Sequence, residues 1–172
     1  MKIAFMGPIC SGKSTLSNQL KNNNNFKVFS FAEPVKKYCT EIFNMKFKDR
    51  KLLQQFADKC KEINPLVWVN ILEKKIIENA KCNIIIDDLR YPNELKMLEK
   101  YNFIIIKLNI KKPLQIKRII ETYPSTYDCH IKRLKHDSES YYNNLNYTEK
   151  IDITENKNIP SLIKELYIII YK

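Results

Sequence analysis

"FMGPICSGKST", residues 5–15, contains both of the glycines in this chain of 172 residues. Glycine serves where the backbone takes conformations that a Cβ forbids, or where it must come close to a ligand. Residues 7–14 match the phosphate-loop pattern GxxxxGK[ST] at every fixed position. A short apolar strand, Lys2–Met6, precedes the loop, and a helix is expected from Lys13 to about Lys21. That strand–loop–helix context predicts a loop that binds phosphate groups.

The polar groups of this loop have expected partners in a nucleoside triphosphate. Consecutive backbone N–H groups wrap phosphate oxygens, and the first amides of the following helix point at the same anion. Lys13 is expected to reach the β- and γ-phosphates, and the hydroxyl of Ser14 to ligate Mg²⁺. The predicted ligands are therefore ATP and Mg²⁺. No third glycine exists to supply the DxxG motif of a GTPase, and the chain length suits a small-molecule kinase.

Length and composition indicate one globular domain over residues 1–172. Apolar runs are too short to span a bilayer, and residues 1–13 lack the pattern of a signal peptide, so we expect a cytoplasmic protein without a membrane partner. The five cysteines are odd in number and irregularly spaced, which indicates reduced thiols rather than a disulfide framework or a metal site. The net charge of +11 suggests an acidic partner, but the lysines are spread along the chain. A solvated basic surface explains the charge equally well.

Apolar strands alternate with helical patterns along the chain, which predicts a parallel sheet covered by helices on both faces. The expected strands are residues 2–6, 26–31, 82–86, 103–110 and 150–156. The expected helices are 13–21, one beginning near Pro34, and then 49–63, 65–80, 92–101, 112–123 and 160–170. Residues 22–25 are expected to form a turn, and residues 123–147 are polar, rich in tyrosine and weakly patterned.

A second motif follows the apolar strand residues 84–86. Acidic residues at the carboxyl end of a central strand beside a phosphate loop can hold Mg²⁺, which makes Asp87 a candidate metal ligand. Arg90 can form two parallel hydrogen bonds with a phosphate or carboxylate. One carboxylate of Asp87 and Asp88 can instead cap a helix or a turn, and Glu94 can simply complement a helix dipole.

Residues 87–95, DDLRYPNEL, resemble the D-x-R-[FY]-x-N-E signature of the deoxynucleoside monophosphate kinases of phages and large DNA viruses. These enzymes belong to the adenylate-kinase-like phosphate-loop kinases. Four further stretches are similar to family segments in the same order: residues 31–36, 50–69, 135–139 and 151–166. The chain departs from the family pattern at residues 56–58, where it reads Phe-Ala-Asp instead of Gly-Thr-Glu, and at Lys61, which replaces an arginine.

The resemblance implies a three-layer αβα fold with a central five-stranded parallel sheet and a lid segment. It implies transfer of the γ-phosphate of ATP to a deoxynucleoside 5′-monophosphate. The acceptor-binding helical segment is expected at about 32–80 and the lid at about 118–147. Catalytic roles are implied for Lys13, Asp88, Arg90 and Arg133. The implied donor site comprises Gly7, Ser11, Gly12, Lys13, Ser14, Thr15 and Arg118. The implied acceptor site comprises Glu33, Lys36, Arg50, Gln54, Trp68, Asp88 and Arg90.

Several of these residues have simpler interpretations. Trp68 is expected to be core or pocket wall rather than a stacking platform, and Arg118 can be mere surface charge. His130 and His136 are expected to be loop residues rather than metal ligands, and the tyrosines of residues 123–147 to pack within the lid. Two other functions stay open: a kinase of another small phosphorylated acceptor, of the phosphomevalonate type, and a basic nucleic-acid-binding module. A small-molecule nucleotide acceptor without a stable nucleic-acid partner is preferred, and such families often dimerise, so a homodimer is an open expectation.

Overall fold

The computed structural model describes residues 1–24, 26–134 and 141–171, and it describes only the backbone at residues 23, 24, 133, 141 and 143. Five strands alternate with eight α-helices in this part of the chain. The strands are β1 (Lys2–Met6), β2 (Phe26–Phe29), β3 (Asn83–Leu89), β4 (Ile104–Ile110) and β5 (Glu149–Ile153). The helices are α1 (Lys13–Asn24), α2 (Ala32–Phe43), α3 (Arg50–Ile63), α4 (Val67–Glu78), α5 (Pro92–Lys100), α6 (Lys112–Thr122), α7 (Tyr127–Arg133) and α8 (Ile159–Ile170). A short 3₁₀ helix, Tyr141–Asn144, precedes β5.

The strands form one sheet in the order β2-β3-β1-β4-β5, and every neighbouring pair is parallel. All five strands therefore end at the same edge of the sheet. The strand order changes direction beside β1, so the loop that follows β1 lies next to the ends of β3 and β4. In open parallel sheets this edge, at such a switch point, is where ligands bind.

Side chains of β1 alternate between two apolar cores, because successive strand residues point to opposite faces. Ala4 and Met6 pack with α4 and α5 on one face. Ile3 and Phe5 pack with α1 and α8 on the other face. The predicted three-layer αβα fold with a five-stranded parallel sheet is confirmed. Among the described residues, no helix has the length and apolar character needed to cross a membrane.

The pairing of β1 with β3 contains a register shift at the end that approaches the phosphate loop. Ala4 pairs with Ile86, but Met6 pairs with Leu89, so β3 advances by one more residue than β1. Asp87 and Asp88 are the two residues that share this extra length. Such bulges change the direction in which strand side chains point. Both carboxylates can thus serve the ligand-binding edge from one strand.

Helices α2, α3 and α4 form a smaller helical layer with its own apolar cluster around Val35, Cys39 and Trp68. The carboxylate of Asp49 caps α3 by accepting hydrogen bonds from the amides of Lys51 and Leu52, at 2.9 and 3.0 Å. This layer overhangs the carboxyl edge of the sheet and supplies one wall of the cleft described below.

The predicted element boundaries differ from the structure at several ends. Helix α1 continues to Asn24 through the asparagines expected to form a turn, and β2 ends at Phe29 rather than at residue 31. Helix α4 spans Val67–Glu78 instead of residues 65–80. Residues 123–147, which show no clear pattern in the sequence, contain α7 and the 3₁₀ helix. Because helix ends depend on local caps and tertiary contacts, apolar spacing alone does not locate them.

Candidate active site

A cleft of about 1230 Å³ lies at the carboxyl edge of the sheet, between the phosphate loop and the helical layer. It is the site where most of the predicted residues meet. The predicted residues that line it are Ser11, Gly12, Lys13, Ser14, Thr15, Lys36, Arg50, Gln54, Trp68, Asp87, Asp88, Arg90 and Arg118. Residues that are far apart in the sequence, such as Ser11 and Arg118, therefore line a single cavity, which spacing along the chain cannot show.

The two glycines of the loop serve different needs. Gly12 has φ +98° and no atom lies within 4 Å of where its Cβ would stand, so the space in front of it is open. Gly7 has φ +146°, and a Cβ there would lie 2.6 Å from the carbonyl oxygen of Leu108. Gly7 is therefore required for close packing of the loop against β4. Gly12 therefore fits the expectation that the glycines let the backbone approach a phosphate. Gly7 does not, because its missing Cβ makes room for β4.

The loop offers unsatisfied polar groups that fit a phosphate. The hydroxyl of Ser11 is buried and has no hydrogen-bond partner within the part of the chain that the structure describes. Buried polar groups normally have partners. Helix α1 begins at Lys13, and its first amides face the cleft from the same side. An open glycine, an unpartnered hydroxyl and a helix N-terminus at one place are suited to a bound anion.

Lys13 is held against the loop itself. Its Nζ donates to the carbonyl oxygens of Gly7 and Pro8, at 2.7 and 2.8 Å. The ammonium group thus stands at the mouth of the loop and can swing towards an anion by rotating its flexible side chain.

Two side chains of α6 donate hydrogen bonds to carbonyl oxygens of the phosphate loop. The amide of Gln115 donates to the carbonyl oxygen of Ile9 at 3.1 Å, and the guanidinium of Arg118 donates to that of Cys10 at 3.4 Å. Arg118 lines the cleft, so it is more than surface charge. The sequence gives no signal for Gln115, a single buried polar residue in an amphipathic helix.

Asp87 lies against the phosphate loop, and we call the part of the cleft that the loop and Asp87 line the donor end. Burial raises the pKa of its carboxyl group, while the charges of Lys13 and Lys36 and a hydrogen bond from Ser14 act in the opposite direction. The pair of Ser14 and Asp87 is an oxygen-rich donor set of the kind Mg²⁺ prefers, with room for substrate oxygens and water. Among the described residues no group of three histidine, cysteine or carboxylate side chains converges as a metal site.

Asp88 has a different role from its neighbour. Its two carboxylate oxygens accept hydrogen bonds from the amides of Phe31 and Ala32, at 2.9 and 3.0 Å. Asp88 thereby caps the start of α2 from a distant strand, as the helix-capping interpretation expects for one of the pair. Although part of the residue is accessible at the cleft wall, desolvation of its carboxylate raises the pKa to about 6.

Glu94 forms a capping box at the start of α5. One of its oxygens accepts from the amides of Arg90 and Tyr91, at 2.8 and 3.0 Å. Its carboxyl group is buried, and burial raises its pKa to about 8, assisted by the nearby charge of Asp88. Glu94 thus fixes the backbone of Arg90, whose side chain enters the cleft.

Basic side chains from outside the phosphate loop also line the cleft, and we call the part of the cleft that they line the acceptor end. Lys36 of α2, Arg50 of α3 and Arg90 line it, together with Lys48. The pKa of Lys48 is lowered by partial desolvation and by the charges of Arg50 and Lys36. Positive charges that lie close together repel each other, and a bound anion relieves that repulsion. This group of cations is therefore suited to bind an anion. Lys48 could not be predicted from the sequence, since a lysine in a lysine-rich chain carries no signal of its own.

The wall beside these cations is formed by α3 and α4. Trp68 is buried and its indole N–H donates to the carbonyl oxygen of Ala57 at 3.1 Å, so it is the pocket wall that the simpler interpretation expects. Gln54 and Asp58 lie one turn apart on α3 and both line the cleft. Asp58 pairs with Lys61 at 3.4 Å.

Some predicted site residues lie elsewhere. Glu33 is exposed and pairs with Lys75 at 3.1 Å, and neither it nor Gly7 lines the cleft. The side chain of Arg133 and the whole of His136 lie outside the described residues. The expectation that His130 is a loop residue is wrong, because His130 lies in α7 and is 5% exposed.

Solved structures similar to this one cover nearly the whole chain. Shikimate kinase from Aquifex aeolicus vf5 is 19% identical with a TM-score of 0.55, covering 99% of this chain and 96% of that chain. Shikimate kinase from Acinetobacter baumannii, in complex with shikimate, is 14% identical with a TM-score of 0.56, covering 99% and 92%. An uncharacterized protein from Eubacterium ventriosum ATCC 27560 is 15% identical with a TM-score of 0.64, covering 100% and 99%. No protein-family model and no curated protein matches the sequence.

At these identities the similarity concerns the fold. The chain has the three-layer αβα fold of the phosphate-loop NTPases, in the form that the shikimate kinases share.

Proposed function

We propose that this protein is an ATP-dependent kinase that transfers the γ-phosphoryl group to the 5′-phosphate of a deoxynucleoside monophosphate. The observation that carries the proposal is a single cleft lined both by the phosphate loop and by a separate group of basic side chains. The phosphate loop and Asp87 form the donor end, and Lys36, Lys48, Arg50 and Arg90 form the acceptor end. A reaction between two phosphorylated molecules needs this arrangement.

At the donor end, the loop amides and Lys13 would bind the triphosphate of ATP. Ser14 and Asp87 would hold Mg²⁺, which supplies charge neutralisation for the phosphates. Lys13 would exchange its contacts with the loop carbonyls for the transferring phosphoryl group. Arg118 holds the carbonyl of Cys10 and so keeps the loop in the conformation in which its amides point inward.

At the acceptor end, the basic side chains would bind the monophosphate and direct one of its oxygens at the γ-phosphorus. A phosphate oxygen is already ionised at neutral pH, so this acceptor needs no general base. Asp88 is consistent with that, because its oxygens are engaged by the amides of Phe31 and Ala32. Asp88 acts here by fixing α2, which carries Lys36, rather than by moving a proton.

The structural neighbours include a shikimate kinase with shikimate bound, and shikimate presents a hydroxyl group and a carboxylate rather than a phosphate. The concentration of cations at the acceptor end favours a phosphorylated acceptor for this chain. The resemblance of residues 87–95 to the deoxynucleoside monophosphate kinases narrows that class to nucleotides.

A coupled assay of ADP release with Mg²⁺–ATP tests the proposal. The acceptors are the deoxynucleoside monophosphates, a set of non-nucleotide phosphates including phosphomevalonate, and shikimate. We expect acceptor-dependent ADP release with at least one deoxynucleoside monophosphate. Release that depends only on a non-nucleotide phosphate, or only on shikimate, would contradict it.

A further inference from the structure

We propose that His130 is a positioning residue that holds Arg50 in its place at the acceptor end. Helix α7, which carries His130, is thereby coupled to binding of the acceptor. This inference rests on the proposed function for the meaning of the acceptor end, and on the contacts below for everything else.

The ring of His130 is fixed in the protein interior. It is 5% exposed and stacks on the ring of Tyr123, with the ring centroids 4.0 Å apart and the planes at 17°. Tyr123 ends α6 as its C-cap and lines the cleft. The imidazole therefore has a defined plane, set by a residue of the cleft wall.

Arg50 meets this ring through a hydrogen bond between its Nη1 and Nδ1 of His130, at 3.3 Å. A guanidinium group has only donors, so Nδ1 must be the acceptor. The contact therefore requires a neutral imidazole with its proton on Nε2. Arg50 is the first residue of α3, and 80 positions of sequence separate the two partners.

A neutral partner is the kind of partner that an anion-binding arginine needs. A carboxylate would also fix the guanidinium, but its negative charge would compete with the phosphate of the acceptor. Imidazole fixes one nitrogen of Arg50 and leaves the full positive charge and the other donors for the ligand. The contact also holds Arg50 near Lys48, whose pKa is lowered first by desolvation and then by the charge of Arg50.

Loss of this contact should appear in one kinetic parameter more than in the others. Arg50 without its partner must be ordered when the acceptor binds, and ordering a long side chain costs entropy. We therefore expect the KM for the acceptor to rise about tenfold, as for the loss of one hydrogen bond to a charged group. The KM for ATP should change by less than about twofold, because Arg50 belongs to the acceptor end and not to the phosphate loop.

Two variants of similar polarity separate positioning from general support of the fold. In His130→Asn the amide oxygen can take the place of Nδ1, whereas in His130→Gln the amide group lies nearer the position of Nε2. We expect His130→Asn to keep the acceptor KM within about threefold of the unmodified protein and His130→Gln to raise it about tenfold. Cys129→Ala, an exposed neighbour on the same helix, is the control for changes in α7 alone.

The experiment measures KM for both substrates, and also binding of inorganic phosphate by calorimetry, in all four proteins. Phosphate titration needs no identified acceptor. If the unmodified protein turns over no deoxynucleoside monophosphate, the proposed function fails and the titration alone decides the role of His130. Weaker phosphate binding or a higher acceptor KM in His130→Gln, restored in His130→Asn, supports the inference. Equal values in the two variants, or equal losses for ATP and acceptor, overturn it.

Discussion

The donor end of the cleft is made mainly by one contiguous stretch of chain, with Asp87 beside it, whereas the acceptor end is made by side chains from separate segments. Residues 9–15 line the donor end with backbone amides, the Lys13 side chain and the hydroxyl groups of serine and threonine side chains. Lys36, Lys48 and Arg50 reach the acceptor end from α2, from the segment before α3, and from α3 itself. Backbone groups take their geometry from the loop conformation, while side chains need partners to hold them.

This difference determines which substitutions disrupt each end of the cleft. The donor end depends on backbone conformations that only glycine takes readily, at φ +98° and φ +146°. The acceptor end depends on supporting contacts, such as Asp88 with the start of α2 and His130 with Arg50. Single substitutions should therefore cause large losses of activity or stability at the donor end and smaller, partial losses of binding at the acceptor end.

The largest effect is expected for Lys13→Ala. It removes the one mobile charge of the phosphate loop, and kcat should fall about a thousandfold, as for the loss of a principal electrostatic contact in a transition state. Steady-state kinetics of ADP release measures it, with circular dichroism as the check on folding. A variant that keeps more than about a tenth of the activity would refute the assignment of Lys13.

Gly7→Ala and Gly12→Ala form a matched pair of variants. The first tests packing of the phosphate loop against β4, and the second tests its binding of ATP. At Gly7 the new Cβ meets the carbonyl oxygen of Leu108, so the free energy of unfolding should fall by about 3 kcal/mol. At Gly12 the Cβ has space, so the loss should be only about 1 kcal/mol of strain, with weakened ATP binding. Urea denaturation and calorimetry measure the two. Equal destabilisation by both substitutions would show that this division is wrong.

Glu94 makes stability depend on pH. Its pKa is about 8 in the folded protein and 4.5 ordinarily, so the unfolded chain loses its proton first as pH rises. Stability from this group is complete below pH 4.5 and is lost as pH rises towards about 8, at up to about 1.4 kcal/mol per pH unit. Glu94→Gln keeps an oxygen for the amides of Arg90 and Tyr91 and should flatten this slope. Urea denaturation at about pH 5.5, 6.5 and 7.5, within that window, gives the free energy of unfolding of both proteins. An unchanged slope would contradict the assignment.

The smallest effect is expected for Lys48→Met at the acceptor end. It removes one of several converging cations, so the acceptor KM should rise about fivefold to tenfold with little change in kcat. Lys46→Met, two residues away and outside the cleft lining, is the matched control. If both variants behave alike, net charge rather than a local site governs binding.

The same contrast explains how much the sequence could predict. The loop pattern and the alternation of apolar strands with helices predicted the fold, because backbone conformation and strand burial follow from local residue types. The positions of Asp87 and Asp88 at the end of β3 were also predictable. Which of the two faces the loop was not, since a register shift against β1 determines it.

The supporting contacts at both ends of the cleft left no trace in the sequence. His130 and Arg50 are 80 positions apart, and Gln115 reaches the loop across 106 positions. Such pairs arise only when the sheet brings distant helices together. Lys48 was missed for another reason, because it is one of many lysines spread along the chain.

Transfer of a labelled γ-phosphoryl group tests the central claim most directly. The protein is incubated with Mg²⁺ and ATP labelled at the γ-phosphate, together with each deoxynucleoside monophosphate in turn, and the products are separated. The account predicts that the label appears in a deoxynucleoside diphosphate at a rate well above its release as inorganic phosphate. Label found only in inorganic phosphate, or remaining in ATP with every acceptor, would contradict it.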